Sequence, residues 1–277
     1  MATFSAPDGT LLTHHREGSG EPLLCLPGGP MRDSACLGDL GGLAAHRTLH
    51  RLDLRGTGDS AVPADPETYR VDRQVEDVEA FRAALGLERV DLLAHSAGSD
   101  LAVLYAAAHP ERIARLVLVT PAAAAIDVPF TVEDRTKAAA QLADEPWYPK
   151  AAAALEATKR GVFDFDGFAP LIYGRWGAAE QQHVVERADQ VHPEAAQYYY
   201  QEEAFEPAAT RAALARLEAP VLVVAGEFDG GPTPARAAEI AAAFPKGEHV
   251  VLPGVGHFPW IGEPAPFVAA VREFLDR

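Results

Sequence analysis

Val90-Asp91-Leu92-Leu93-Ala94-His95-Ser96-Ala97-Gly98-Ser99 begins as an apolar, strand-like run and turns through small residues at Ser96. It continues into Leu101-Ala102-Val103-Leu104-Tyr105-Ala106-Ala107-Ala108, which reads as a helix. A serine on a tight strand-to-helix turn presents its hydroxyl clear of the backbone. Bulk two residues before or after it would collide as the chain reverses, and those positions hold Ala94 and Gly98. The stretch fits a nucleophile turn of the form G-x-S-x-G, with alanine replacing the first glycine. It equally fits a buried serine that opens an ordinary helix, so the rest of the chain has to decide.

Upstream, Thr3–Ser5 and Thr10–Arg16 read as strands joined at Pro7-Asp8-Gly9. Pro22–Leu26 reads as a fully buried strand ending at Pro27-Gly28-Gly29-Pro30, and Thr48–Leu54 as another running into Arg55-Gly56-Thr57-Gly58-Asp59-Ser60. A short helix is expected around Leu40–Ala45. An amphipathic helix is expected over Val71–Leu85, where Val71, Val75, Val78, Phe81 and Leu85 recur at helical spacing. Downstream, Leu116–Val119 is again continuously apolar. Strands of this kind alternating with helices imply a parallel sheet covered on both faces.

The alternation stops after Pro121. From about 125 to 210 the chain is rich in Ala, Glu and Gln and carries aromatics in clusters: Trp147-Tyr148, Phe163, Phe165, Phe168, Trp176 and Tyr198-Tyr199-Tyr200. It resumes with a strand at Ala219–Ala225, a helix at about Pro234–Phe244, a strand at His249–Leu252 and a helix at Pro264–Leu275. The expected organisation is an α/β core in two parts, 1–124 and 211–277, flanking a helical insertion at 125–210.

Composition narrows the function classes. The 48% hydrophobic and 23% charged fractions are those of a globular protein, and no apolar run is long enough to span a membrane. The N-terminal residues lack a basic start and apolar run, so no signal peptide is expected and a cytoplasmic location is the default. A net charge of −16 repels phosphate backbones and argues against nucleic acid as a partner. Cys25 reads as a small core residue, and neither it nor Cys36 belongs to a CxxC pair. No His/Cys cluster has metal-ligand spacing, and His14-His15 reads as an exposed part of the early hairpin. No metal or cofactor is expected.

A serine nucleophile needs a base and an orienting carboxylate, and open parallel sheets build such sites at the C-terminal ends of their strands. The strand at 219–225 runs into Gly226-Glu227-Phe228-Asp229. The next runs into Pro253-Gly254-Val255-Gly256-His257. Asp229 alone reads as a turn or helix-cap residue and His257 alone as a loop histidine. Both falling just past consecutive strand ends, in the order Ser96, Asp229, His257, points to a triad. Acyl transfer also needs donors for an oxyanion: the Ala97 amide, and an amide of the Gly28-Gly29 loop.

The chain resembles the α/β-hydrolases over nearly its whole length, on Pro27-Gly28-Gly29-Pro30, Asp53-Leu54-Arg55-Gly56-Thr57-Gly58-Asp59-Ser60, Ala94-His95-Ser96-Ala97-Gly98, Gly226-Glu227-Phe228-Asp229 and Gly256-His257 followed by Glu263-Pro264. The resemblance implies a mostly parallel eight-stranded sheet with an inserted helical cap. It makes Ser96 the nucleophile, His257 the base, Asp229 the orienter, and the Gly29 and Ala97 amides the oxyanion hole. Among branches it is most similar to proline iminopeptidase-like enzymes, whose motif reads H-G-G-P-G. Pro27 and Met31 depart from that motif, at its histidine and at a further glycine. The branch holds a substrate's free amine with acidic cap residues, for which Glu202 and Glu203 are candidates, an exposed helix face being the alternative. Trp260, three residues past His257, is a pocket candidate. The implied function is hydrolysis of a small amide or short peptide with a free N-terminus. The alternatives are a carboxylic ester, lactone or C–C bond hydrolase, or a non-catalytic binding protein on the same fold. Oligomeric state is not readable from the sequence.

Overall fold

The computed structural model describes residues 1–162 and 164–277. Phe163, counted above among the clustered aromatics, lies outside the described residues. Eight strands form one sheet: β1 (Ala2–Ser5), β2 (Leu11–Gly18), β3 (Pro22–Leu26), β4 (Thr48–Asp53), β5 (Val90–His95), β6 (Ile113–Val119), β7 (Val221–Gly226) and β8 (Gly247–Leu252). Their order is β1-β2-β4-β3-β5-β6-β7-β8. The pairs β1–β2 and β2–β4 are antiparallel, and the rest are parallel. The sheet is therefore eight-stranded and mostly parallel, an α/β-hydrolase fold.

The alternation of side chains explains the two covered faces. In β3, Leu24 and Leu26 enter one core while Leu23 and Cys25 enter the other. In β6 the division is Leu116 and Leu118 against Val117 and Val119, and in β7 Val221 and Val223 against Leu222 and Val224. The first core is closed by α1 (Val75–Ala84), which brings Val78 and Phe81, and by α2 (Gly98–Ala108). The second is closed by the segment after β3 and by the C-terminal helix at Pro264–Leu275, which brings Phe267, Val271 and Phe274.

Between β6 and β7 lie α3 (Val132–Ala140), α4 (Tyr148–Thr158), α5 (Phe165–Tyr173), α6 (Ala178–Gln190), α7 (Pro193–Tyr199) and α8 (Pro207–Leu214). Helices α3 to α5 share a small core of their own around Leu142, Leu155, Phe168 and Leu171, against which Trp147 and Tyr148 pack. Helix α8 straddles position 210 and sends Leu214 into the main core, as α7 does with Tyr199. The chain closes with α9 (Pro234–Ala241), the single turn α10 (Pro259–Gly262) and α11 (Pro264–Leu275).

Three local expectations are corrected. No helix spans Leu40–Ala45, because Leu40, Gly41 and Gly42 have φ of 54°, 67° and 96°, leaving one 3-10 turn at Leu43–Ala45. The helix expected from Val71 begins as a 3-10 turn, Val71–Gln74. His14 is buried against Phe4, Phe81 and His50, and His15 is half-buried with Nε2 2.8 Å from Asp53 Oδ2. Pairing of β2 with β4 covers a strand that looked like the exposed arm of a lone hairpin.

Candidate active site

Ser96 occupies the turn between β5 and α2 with φ of 51°, a left-handed conformation uncommon for a non-glycine residue. The surrounding backbone holds it there. Ser96 N donates to Val119 O at 3.0 Å, and Ser96 O accepts from Ala122 N at 3.0 Å and Ser99 N at 2.9 Å. A Cβ on Gly98 would collide with the Pro27 carbonyl, which explains the glycine. Ala94 is fully buried at the end of β5, its methyl absorbed into the core.

Asp229 and His257 follow β7 and β8, and the fold brings both to Ser96. Ser96 Oγ lies 2.8 Å from His257 Nε2, and His257 Nδ1 lies 2.8 Å from Asp229 Oδ2. The carboxylate can only accept, so Nδ1–H donates to Asp229 and Nε2 is free to accept from the serine hydroxyl. Asp229 is buried, and its other oxygen accepts from Gly231 N at 2.8 Å. The backbone of His257 is fixed from both sides. Its N–H donates to Ile172 O at 2.7 Å, near the end of α5. Its carbonyl accepts from Thr120 Oγ1 at 2.9 Å and lies 3.1 Å from His95 Nε2. His95 is fully buried, and burial, followed by the nearby His257, holds its pKa well below that of a free histidine. It stays neutral and can donate from Nε2. His95 stands in the stretch quoted at the outset, next to Ser96, but its partner lies 162 residues away and leaves no mark in the sequence.

Gly28 and Gly29 lie beside the serine. A Cβ on Gly28 would stand 2.8 Å from Ser96 Cβ, and Gly29 has φ of 130°. Gly29 and Ala97 both line the cavity above Ser96. Among the described residues neither of their amides donates to a protein acceptor.

That cavity is about 570 Å³. Its wall is mostly apolar, including Val128, Phe130, Phe168, Leu171, Ile172 and Phe228. Its polar members besides Ser96, Asp229 and His257 are Asp100, Asp127, Arg135 and Tyr200. Asp100 is fully buried, accepting from Ala125 N at 2.8 Å and Tyr200 Oη at 3.1 Å. Burial raises its pKa to about 6 in spite of those donors. Neighbouring Tyr199 donates to Ala97 O at 3.0 Å and so braces the serine turn.

The sequence-based substrate contacts are corrected. Glu202 and Glu203 sit on an exposed 3-10 turn outside the cavity, because Ala204 is the member of that turn that packs into the core. Trp260 lies behind His95, edge-on with ring centroids 4.8 Å apart, and packs on Phe267 in the second core. The acids that line the cavity besides Asp229 are Asp100, in the first turn of α2, and Asp127. The fold also gathers His15, Asp53 and Asp59, with ligand-type atoms within 4.8 Å of one another. Asp53 already accepts from Ser34 N and Asp59 N, so it acts as a staple of its loop, outside the cavity of Ser96.

Ser96, Asp229 and His257, past the ends of β5, β7 and β8, thus form one serine–imidazole–carboxylate chain of hydrogen bonds beside the cavity. Residues 21–264 match the family of the alpha/beta hydrolase fold, and the chain belongs to that family. It is 26% identical to a proline iminopeptidase of Heyndrickxia coagulans, over 94% of this chain and 92% of that one. Similar solved structures include a thermophilic esterase from Thermogutta terrifontis with malate bound (TM-score 0.72, 24% identity, 99% and 97% of the chains). Another is the enol-lactonase from Burkholderia xenovorans LB400 (TM-score 0.69, 24% identity, all of both chains). No helix among the described residues is long and apolar enough to cross a membrane.

Proposed function

We propose that this protein is a serine hydrolase of small acyl compounds, with Ser96 as nucleophile, His257 as general base and acid, and Asp229 as the orienting carboxylate. The observation that carries the reading is the run of two 2.8 Å hydrogen bonds, Ser96 to His257 to Asp229, opening onto one cavity. Ser96 Oγ attacks the carbonyl carbon as its proton passes to His257 Nε2. Asp229 stabilises the imidazolium that results. The carbonyl oxygen becomes an oxyanion facing the Gly29 and Ala97 amides. As the bond to the leaving group breaks, the imidazolium protonates that group. Water then attacks the acyl-enzyme with His257 again as base, releasing the acid and restoring Ser96.

The apolar wall favours a carboxylic ester or lactone with an uncharged acyl group as substrate. A second reading, an amide with a free N-terminus, is supported by Asp100. This desolvated carboxyl lines the same cavity and has no cationic partner among the described residues. The whole-length likeness to a proline iminopeptidase supports it too.

Labelling with a fluorophosphonate probe tests the hydrolase reading. Folded protein should be labelled at Ser96, and the Ser96→Ala variant should not. A folded wild type that resists the probe would leave the non-catalytic binding protein as the better account. Short-chain chromogenic esters, set against Pro- and Ala-aminoacyl amides and their N-acylated forms, separate the two substrate readings. Equal turnover of free and N-acylated amides would remove the ammonium from the scheme.

A further inference from the structure

Arg32 is 3% exposed and forms no ion pair with any described carboxylate. Its guanidinium is spent on neutral acceptors, all on α6 or at its end. Nε donates to Gln190 Oε1 at 2.8 Å and Nη2 to the His183 carbonyl at 3.2 Å. The His183 ring is committed elsewhere, with Nε2 3.0 Å from Cys36 O and Nδ1 2.6 Å from the Tyr173 hydroxyl. Nε2–H therefore donates to Cys36 O, and Nδ1 accepts from Tyr173. Burial keeps this imidazole neutral at ordinary pH. A guanidinium buried without a counter-charge is unfavourable unless its donors are satisfied. Here the acceptors for Nε and Nη2 come from the helical insertion.

The same residue abuts the Gly28-Gly29 loop. A Cβ on Gly29 would lie 2.7 Å from Arg32 N and 2.9 Å from Arg32 Cβ, so the Arg32 backbone packs directly on the Gly29 Cα. Arg32 N donates to Gly28 O at 3.3 Å. On either side of it, Met31 O accepts from His192 N at 3.0 Å and Asp33 N donates to Gln190 O at 2.9 Å, with Arg32 and Val191 paired antiparallel. Loop 31–33 is thus laced to segment 190–192, and the guanidinium ties that lacing to the body of α6.

We infer that Arg32 is a positioning residue for the reaction, linking the cap helix α6 to the loop that aims the Gly29 amide at the oxyanion. The inference rests on the serine-hydrolase reading above. Arg32 touches neither Ser96 nor the cavity, so its effect is on placement. Loss of the guanidinium frees the loop to shift by a fraction of an ångström at Gly29 while leaving Ser96, His257 and the apolar wall in place. Substrate binding should then survive and the transition state should suffer.

The test compares Arg32→Gln and Arg32→Lys with wild type on one activated ester and its thionoester, with fluorophosphonate labelling of the wild type as control. A wild type that is neither labelled nor active overturns the hydrolase reading, and this inference with it. With an active wild type, Arg32→Gln is expected to lower kcat about 10- to 100-fold. KM should stay within about twofold, and the pH at which activity falls on the acid side should not move. Arg32→Lys should recover part of the loss. The rate advantage of the oxo-ester over the thionoester should shrink in the variant, since a misplaced amide no longer discriminates the better acceptor oxygen. An unchanged kcat, or a KM that rises with kcat intact, overturns the inference, because Arg32 would then only hold the cap. If Arg32→Gln does not fold, Gln190→Ala decides at the partly exposed end of the contact. A kcat loss of about threefold at constant KM supports the inference, and an unchanged kcat overturns it.

Discussion

Asp229 has one oxygen on His257 Nδ1 and the other on Gly231 N, so it is held as a pure acceptor. Replacing it with asparagine keeps the shape but lets an N–H face the imidazole, which favours the wrong tautomer and removes the negative charge. Asp229→Asn should lower kcat by roughly 10⁴-fold with the fold intact, read by steady-state kinetics alongside circular dichroism. Asp100 makes a separate prediction. Burial sets its pKa at about 6, above the ordinary carboxylate range, so it is ionised at pH 7 and loses its charge as pH falls through 6. An ammonium-bearing substrate needs the ionised form and a neutral ester does not. The ratio of kcat/KM for a free aminoacyl amide to that for an ester should therefore fall below pH 6, by up to tenfold per pH unit. Asp100→Asn should lower the ratio at pH 7 and flatten its pH dependence. A wild-type ratio flat from pH 7 to 5 would count against the free-amine reading.

At the scale of elements, the loop after β4 shows why some features are legible in sequence and others are not. Arg55 reaches Asp77 on α1 with two nitrogens, one at 2.6 Å, and also bonds Asp8 in the first hairpin. Arg55 and Asp77 are 3% and 1% exposed. Removing one partner strands the other charge in the core. Arg55→Leu should therefore cost about 3–5 kcal/mol in chemical denaturation, and adding Asp77→Leu should recover part of it. The Asp53–Ser60 run is readable as a motif, but nothing local marks Asp77 on α1 as the partner of Arg55. The same division runs through the chain. Strands β3, β5, β6 and β7 were legible because burial on both faces leaves continuous apolar runs. Ser96, Asp229 and His257 were legible because each sits at a strand end that local sequence marks. Glu202 and Glu203 were misplaced because the side facing the cavity is decided there by packing of helices with no strand to register them, and Trp260 because the single turn after His257 carries its ring back onto His95 and Phe267. Leu40–Ala45 failed as a helix because three consecutive left-handed residues are a backbone property that composition does not announce. Arg32 and His95 escaped notice for a further reason: their partners are 151 to 162 residues away.

At the scale of the molecule, burial of histidines shapes how the fold should respond to acid. His14, His50, His95 and His183 are all buried, and burial lowers the pKa of each, to about 4 for His14 and His183. In the unfolded chain they take up protons near 6.5. Between about pH 6.5 and 4 the unfolded state binds more protons, so this contribution is complete above 6.5 and is lost progressively toward 4. Asp100 has the opposite sign. Its folded pKa is raised, so it adds stability only at lower pH and loses it as pH rises through 6. The overall charge also opposes the histidines, because −16 at pH 7 relaxes toward zero near pH 5 and self-repulsion falls with it. Burial raises Asp33, Asp77 and Asp91 as well, while Asp8, Glu79 and Asp134 are held below the ordinary carboxylate range and side with the histidines, so the histidine contribution has to be read one residue at a time. The term can be isolated at His14, which is far from Ser96 and packed on Phe4 and Phe81. His14→Leu keeps an apolar side chain there and removes one proton uptake, so the slope of unfolding free energy against pH should flatten by about 1 kcal/mol per pH unit between 6 and 4.5. Urea unfolding of wild type and variant at matched ionic strength reads this directly. Parallel slopes would mean that His14 is protonated in the folded protein, and that its packing against the two phenylalanines does not exclude the charge.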